Sequence, residues 1–263
     1  MPETPPGGNI FHAAPRCQPL LRAIGLDAEA VFSHPQITVW RQLHDRENCT
    51  LDGAWPDGTP ARLHIKRYAP CRSRSTPADA EALGLSRLEA AAIPTAPLVG
   101  WGALADGRSF IILEDLVGFR AADKLIAQGF AFERLLESTA ALAARLHSAG
   151  LHHRDLYLCH FFVKPAPSLD VRLIDAARVK PLPRWPFRNR WIVKDLAQFW
   201  YSARLLGTSD AQRMAWLEAY GRIAQIEAHR WRSSIERKVA RIRRHHEALS
   251  RQQPARNISI PGA

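Results

Sequence analysis

The sequence predicts an α+β chain in two lobes, a small β-rich first lobe carrying one helix and a larger, mostly helical second lobe. β-formers and turn residues crowd positions 37–68, long helical patterns take over after Gly118, and 46% of the 263 residues are hydrophobic. That is enough apolar material for one large domain or two small lobes. The prolines and glycines follow no period, which excludes collagenous and solenoid architectures.

Residues 1–30 read as a tail and lead-in, 31–117 as the first lobe, and 118–263 as the second lobe with a basic C-terminal helix. Met1 to Asn9 is rich in Pro and Gly and lacks the basic-then-apolar plan of a secretory signal. Ile37–Leu43, Cys49–Leu51 and Arg62–Tyr68, separated by His44–Asn48 and Pro56–Gly58, predict two or three antiparallel strands. A helix follows over Ala78–Ala92, with Glu81, Leu85 and Leu88 at helical spacing and Pro94 closing it. Ser109–Leu116 is an apolar run between turn signals, expected as a buried strand. Beyond Gly118, Ala121–Gln128 and Ala131–Ala149 are helical patterns, the second closed by Gly150. Phe161–Val163 and Val171–Ile174 suit a small hairpin, and Ile192–Leu206 and Ala211–Arg244 are helical again.

Composition narrows the function classes. Cys17, Cys49, Cys71 and Cys159 form no C-x-x-C pair, which argues against a disulfide framework or thiolate zinc site and fits a reducing cytoplasm. No run reaches the roughly 18–20 apolar residues of a membrane-crossing helix. A net charge of +11 implies an anionic partner, whether nucleic acid, acidic lipid or a phosphorylated substrate. Two stretches concentrate it. Arg178–Lys194 contains Arg178, Lys180, Arg184, Arg188, Arg190 and Lys194 with no acid. Arg222–Arg256 carries ten Lys/Arg against three Glu, with apolar residues from Ile223 to Ile242 near helical spacing, so it reads either as a surface for an anionic membrane or as a packed helix with a solvated charged face.

Three groups carry chemistry: Lys66 at a strand end, His153-Arg154-Asp155 after a long helix, and Asp175 after a short strand. Phosphoryl transfer needs this inventory. A lysine holds nucleotide phosphates, one carboxylate orients or takes the acceptor proton, and another holds the metal that neutralises the transferred group. The order and spacing are those of protein kinases. Glu81 is the candidate partner for Lys66, because an acid on an apolar stripe demands a partner. Glu89 competes for that role but fits a solvated face. Asp195, in a largely apolar helical pattern, is expected to accept hydrogen bonds from the backbone of the catalytic loop.

With these residues assembled, the chain resembles the lipopolysaccharide kinase family of Kdo/WaaP type, bacterial enzymes that phosphorylate heptose or Kdo sugars of the inner core and share a protein-kinase-like fold. The resemblance is carried by Leu146–Phe162, with Tyr157, Cys159 and His160 after the H-R-D triplet, and by Ile65-Lys66, Ile93-Pro94-Thr95, Leu173-Ile174-Asp175 and Lys194-Asp195-Leu196 in order. It implies ATP and Mg²⁺ as cofactors. Lys66, Glu81 and Glu114 then serve the nucleotide, Asp155 is the base with Arg154 beside it, Asp175 and His160 hold the metal, and His153 and Asp195 are structural. The basic stretch lies where a kinase binds its acceptor, so Arg184, Arg188 and Arg190 read either as a grip on acceptor phosphates or carboxylates or as lobe packing with a solvated basic face, with Trp185 and Trp191 able to stack on sugar rings or pack inward. The implied place is the cytoplasm, with peripheral contact at the inner membrane.

The departures have consequences. No G-x-G-x-x-G joins the first strands, and His44–Asn48 stands in that turn. His160 replaces a metal-binding asparagine, and Ala176-Ala177 replaces Phe-Gly, which argues against a flipping activation loop. Two alternatives stay open, a kinase of another small hydroxyl compound such as an aminoglycoside or choline, and an inactive kinase-fold binder. The Tyr157-x-Cys159-His160 loop argues against the first, and Lys66, Glu81, Asp155 and Asp175 together argue against the second. Nucleic acid accounts for the charge alone and is not expected as a partner.

Overall fold

A computed structural model describes residues 8–73, 75–184 and 186–252. Its contacts divide into two compact units, one from the described residues of Met1–Leu85 and Ala96–Val117, the other from those of Ser86–Thr95 and Gly118–Ser259.

The first unit is a six-stranded antiparallel sheet and the segments packed on it. In chain order it contains β1 (Ile10–Ala13), α1 (Gln18–Ala23), α2 (Ala30–Ser33), β2 (Thr38–Gln42), β3 (Arg46–Ala54), β4 (Pro60–Tyr68), the start of α3 (Pro77–Ala90), β5 (Leu98–Ala103) and β6 (Ser109–Glu114). Strand order is β1-β5-β6-β4-β3-β2. β2 to β4 and β6 match the expected strands, but β1 lies in the stretch read as lead-in and β5 in one to which no element was assigned. Gly100 and Gly102 hide β5 from a propensity reading, yet they let β1 lie against it: a Cβ on Gly100 would sit 2.6 Å from the Phe11 ring and 2.8 Å from the His12 carbonyl oxygen, and one on Gly102 would collide with the Ile10 carbonyl. The lead-in is therefore structural from Ile10 onward. Cys17, Leu20 and Val31 join Leu51, Ile65, Phe110 and Ile112 in one core. The expected His44–Asn48 turn is shorter, since Arg46, Glu47 and Asn48 already belong to β3, and Leu43 N–H donates to the Arg46 carbonyl at 2.8 Å.

The second unit holds β7 (Arg120–Ala121), α4 (Ala122–Ala127), α5 (Glu133–Ser148), β8 (Leu151–His152), β9 (Phe161–Lys164), β10 (Asp170–Leu173), β11 (Lys180–Pro181), α6 (Arg188–Leu205), α7 (Asp210–Ala224) and α8 (Arg232–Gln252). β10-β9-β7 form one small sheet and β11-β8 another. The helical core is aromatic: Phe199 of α6 stacks on Trp216 of α7 at 3.9 Å between centroids, and Trp216 Nε1 donates to Thr139 Oγ1 of α5 at 2.9 Å. The single helical pattern expected over Ala211–Arg244 is two helices. Gln225 takes left-handed backbone, φ 56°, and Ile226 N–H turns back to the Gly221 carbonyl at 2.9 Å. α8 then packs Ile235 and Val239 inward, and Tyr201 meets His246 Nδ1 at 2.6 Å. Its apolar face is thus spent on packing, which supports the packed-helix reading, while its charged face stays open. No described helix is long and apolar enough to cross a membrane.

One buried group gives this unit a testable pH response. His152 is buried against the Trp191 ring, 4.7 Å between centroids, and its Nδ1 has no hydrogen-bond partner. Burial, aided by neighbouring Arg154, lowers its pKa to about 4, well under the roughly 6.5 of an unfolded histidine. Between those values the unfolded chain binds the extra proton, so stability is whole above about pH 6.5 and declines as pH falls toward the folded value. His152→Phe is expected to flatten the fall in urea midpoint between pH 7 and pH 5. Parallel curves for the two proteins would show that His152 contributes nothing to it.

Candidate active site

In the first unit, β4 ends beside α3. Lys66 Nζ donates to Glu81 Oε1 at 2.6 Å and Tyr68 Oη to Oε2 at 2.7 Å, so the fully buried Glu81 carboxylate has a partner on each oxygen. This satisfies the desolvation demand that an acid on an apolar stripe creates. Glu89 is exposed and takes no part. Lys66 keeps a quarter of its side chain exposed while its ammonium is held on the Glu81 carboxylate. The Glu114 carboxylate pairs with Arg16 and accepts from Cys17 Sγ at 3.6 Å, so it ties the lead-in to the sheet.

In the second unit, α6 supports the loop that follows β8. Lys194, Asp195, Gln198 and Ser202 lie near one face at helical spacing. Asp195, fully buried, accepts from the His153 N–H at 2.6 Å and the Arg154 N–H at 2.9 Å. Burial works to raise its pKa, but the His147 ring and the His153 amide outweigh it and the value is lowered. Lys194 Nζ and Gln198 Nε2 both donate to the Arg154 carbonyl, at 2.8 and 2.7 Å. Leu156 N–H donates to Gln198 Oε1 at 3.1 Å and Leu158 N–H to Ser202 Oγ at 2.9 Å. Arg154 sits at φ 72° with its guanidinium 4.9 Å from the Trp191 ring centroid. Its charge faces that aromatic, and its strained backbone turns Asp155 out of the loop, as strained residues at functional sites do.

Two histidines stitch this loop to the Asp175 segment. Buried His153 donates from Nε2 to the Ile174 carbonyl at 3.1 Å. His160 donates from Nδ1 to the Asp155 carbonyl at 2.6 Å, its own carbonyl accepts from Ile174 N–H at 2.9 Å, and its Nε2 lies 3.5 Å from Asp175 Oδ2. Burial would lower the His160 pKa, but Cys159 and Asp175 beside it raise it to about 10. Asp175 is held at φ 62°, ψ 62°. Among the described residues no three metal-capable side chains cluster.

Arg178 escaped the sequence reading as a site residue. Its Nη1 donates to both oxygens of Asp155, at 3.1 and 2.9 Å, and Gln198 Nε2 lies 3.4 Å from Oδ1. A cation three residues past a candidate metal-binding aspartate was the available signal for Arg178, and the i+3 position from Asp195 was that for Gln198. The three acceptor arginines do not act alike. Arg188 donates to the His147 carbonyl at 3.2 Å, at the end of α5; Arg190 lines a groove between α6 and α8; and Arg184 is exposed. Trp191 packs inward between Arg154 and His152, and Trp185 lies outside the described residues.

The lipopolysaccharide kinase (Kdo/WaaP) family matches residues 38–220. The chain is similar to the lipopolysaccharide core heptose(I) kinase WaaP of Escherichia coli strain K12, 26% identical over 219 residues, 74% of this chain and 82% of the relative. It is 37% identical to the Pseudomonas aeruginosa protein of the same name over 93 residues, 34% of each. A solved structure of WaaP in complex with acyl carrier protein superposes with TM-score 0.67 at 25% identity, over 88% of this chain and 98% of that one.

Proposed function

The chain belongs to the lipopolysaccharide kinase (Kdo/WaaP) family, and from that membership we propose that it transfers the γ-phosphoryl group of ATP to a heptose hydroxyl of the lipopolysaccharide inner core. Membership makes it a phosphotransferase with a sugar hydroxyl as acceptor. The observation that carries the finer reading is the joining of Asp155 and Asp175 through His160 in one unit, inside a chain whose relatives are named heptose(I) kinases. Those names favour heptose over Kdo. They leave no support for an aminoglycoside-type or inactive alternative.

In this proposal Lys66, oriented by Glu81, holds nucleotide phosphates. Asp155 receives the proton of the attacking hydroxyl, and Arg178 aims its carboxylate and faces the charge of the transferred group. Asp175 and His160 would hold Mg²⁺, which when bound neutralises phosphate charge. Lys194, Asp195 and Gln198 keep the loop in place. The working site is cytoplasmic, with peripheral contact at an anionic membrane. An acyl carrier protein joins the proposed partners on the strength of the relative's complex.

Mass spectrometry of lipopolysaccharide from a strain lacking the gene tests the reading. Loss of one phosphate from a core heptose, restored by the wild-type gene and not by the Asp155→Asn form, is the expected result. Loss from a Kdo residue would reassign the acceptor, and an unchanged core would remove the proposal.

A further inference from the structure

α6 and α8 enclose a groove of about 590 Å³ lined by five cations, Arg190, Lys194, Arg237, Lys238 and Arg241, with no acidic residue in its wall. No carboxylate pairs with any of the five among the described residues, although Glu227, Glu236 and Glu247 are all near in sequence. Those acids serve Arg230, Arg204 and Arg243. A solvated basic face normally interleaves both signs along a helix, whereas here Arg237, Lys238 and Arg241 line the groove and no acid of α8 does. Burial, with Arg190 and Arg241 beside it, lowers the pKa of Lys238, so the groove carries repulsion that a bound anion would relieve.

The groove reaches the catalytic loop. Lys194 lines its wall and donates to the carbonyl of Arg154, the residue before Asp155. Trp191 lines it too and lies under the Arg154 guanidinium. A ligand seated there meets Lys194 and Trp191, both in contact with Arg154, the residue before the candidate base. Trp191 and Trp231 add apolar surface to the same wall, between cations that recognise phosphate or carboxylate oxygens.

We infer that the α6/α8 groove is an acceptor subsite that binds phosphate groups carried by the glycolipid acceptor at a distance from the hydroxyl being phosphorylated. This rests on the lipopolysaccharide-kinase reading and assigns to it a recognition surface formed by Lys238 and Arg241 as well as Arg190. The negative groups on the substrate itself fill the groove. Membrane headgroups are the competing source.

The test uses the double variant Lys238→Gln/Arg241→Gln, in which the side-chain stems are preserved and the charges removed. The acceptors are deacylated core oligosaccharide with its lipid A backbone phosphates and the same compound dephosphorylated. Wild type is expected to prefer the phosphorylated acceptor, and the variant to lose that preference, with acceptor KM raised about tenfold and ATP KM moved less than twofold. An equal preference in both proteins overturns the subsite. So does a variant that keeps acceptor KM but releases vesicles of phosphatidylglycerol and phosphatidylcholine, since the groove then serves the membrane. Titration of inorganic pyrophosphate into protein saturated with a non-hydrolysable ATP analogue separates this inference from the kinase reading. If no core acceptor is phosphorylated yet pyrophosphate binds wild type and not the variant, the groove stands and the acceptor assignment falls; equal pyrophosphate binding rejects the groove.

Discussion

Asp155→Asn is expected to fold like wild type, to bind ATP with similar affinity, and to lose on the order of a hundred- to ten-thousand-fold in kcat, the usual span for removing a general base. The substitution isolates the chemistry because it changes little else. Asparagine keeps an acceptor oxygen for Arg178 Nη1, which now reaches both Asp155 oxygens, and the loop backbone is held from α6 through Asp195, Gln198 and Lys194, independently of the Asp155 side chain. Thermal unfolding and initial-rate kinetics on the purified variant decide it. Turnover within a few-fold of wild type would move the base elsewhere, and a large fall in thermal stability would make Asp155 a structural residue.

What the sequence disclosed about this site follows from how each residue meets its neighbours. Glu81 was legible because a carboxylate on the Leu85–Leu88 stripe is costly without a partner, and the partner is Lys66. Asp195 was legible for the same reason on α6. Arg178 was hidden by its company: in a run of cations from Arg178 to Lys194, only its place three residues past Asp175 marks the guanidinium that meets Asp155. The partner of Glu114 was not legible because Arg16 is 98 residues away in a segment read as lead-in. β1 and β5 were missed for a related cause, since glycines that signal a loop in isolation are here the condition for two strands to approach. The break at Gln225 was invisible because apolar spacing continues across it from Ile223 to Ile235 while the chain reverses through left-handed backbone. The α6/α8 groove needed that break, which separates α8 from α7 and lets it lie along α6.

Asp195→Ala is the substitution expected to cost most stability. The carboxylate is fully buried and accepts two backbone N–H groups of the catalytic loop, with the His147 ring 3.4 Å from Oδ2. Alanine leaves the His153 and Arg154 amides without an acceptor in a site closed to solvent, so a loss of about 2–4 kcal/mol is expected, a charged hydrogen bond counting for about 1.5–3 kcal/mol before the stranded donors are added. Asp195→Asn should lose less stability, because one side-chain oxygen still accepts, although its amide group must face an N–H donor. The pH dependence gives a second signature. The folded pKa of Asp195 is lowered, so its contribution is present above the unfolded value of about 3.9 and is lost as pH falls through the lower folded value; the alanine variant lacks that acid-side loss. Activity should fall further than the unfolded fraction explains, because the strained Arg154 backbone at φ 72° that turns Asp155 out of the loop is held by the same carboxylate. Urea unfolding with kcat measured on the folded fraction separates the two effects. A variant within about 0.5 kcal/mol of wild type, the range of an ordinary surface substitution, would mean that the loop is held by Gln198 and Lys194 and that Asp195 is dispensable to it.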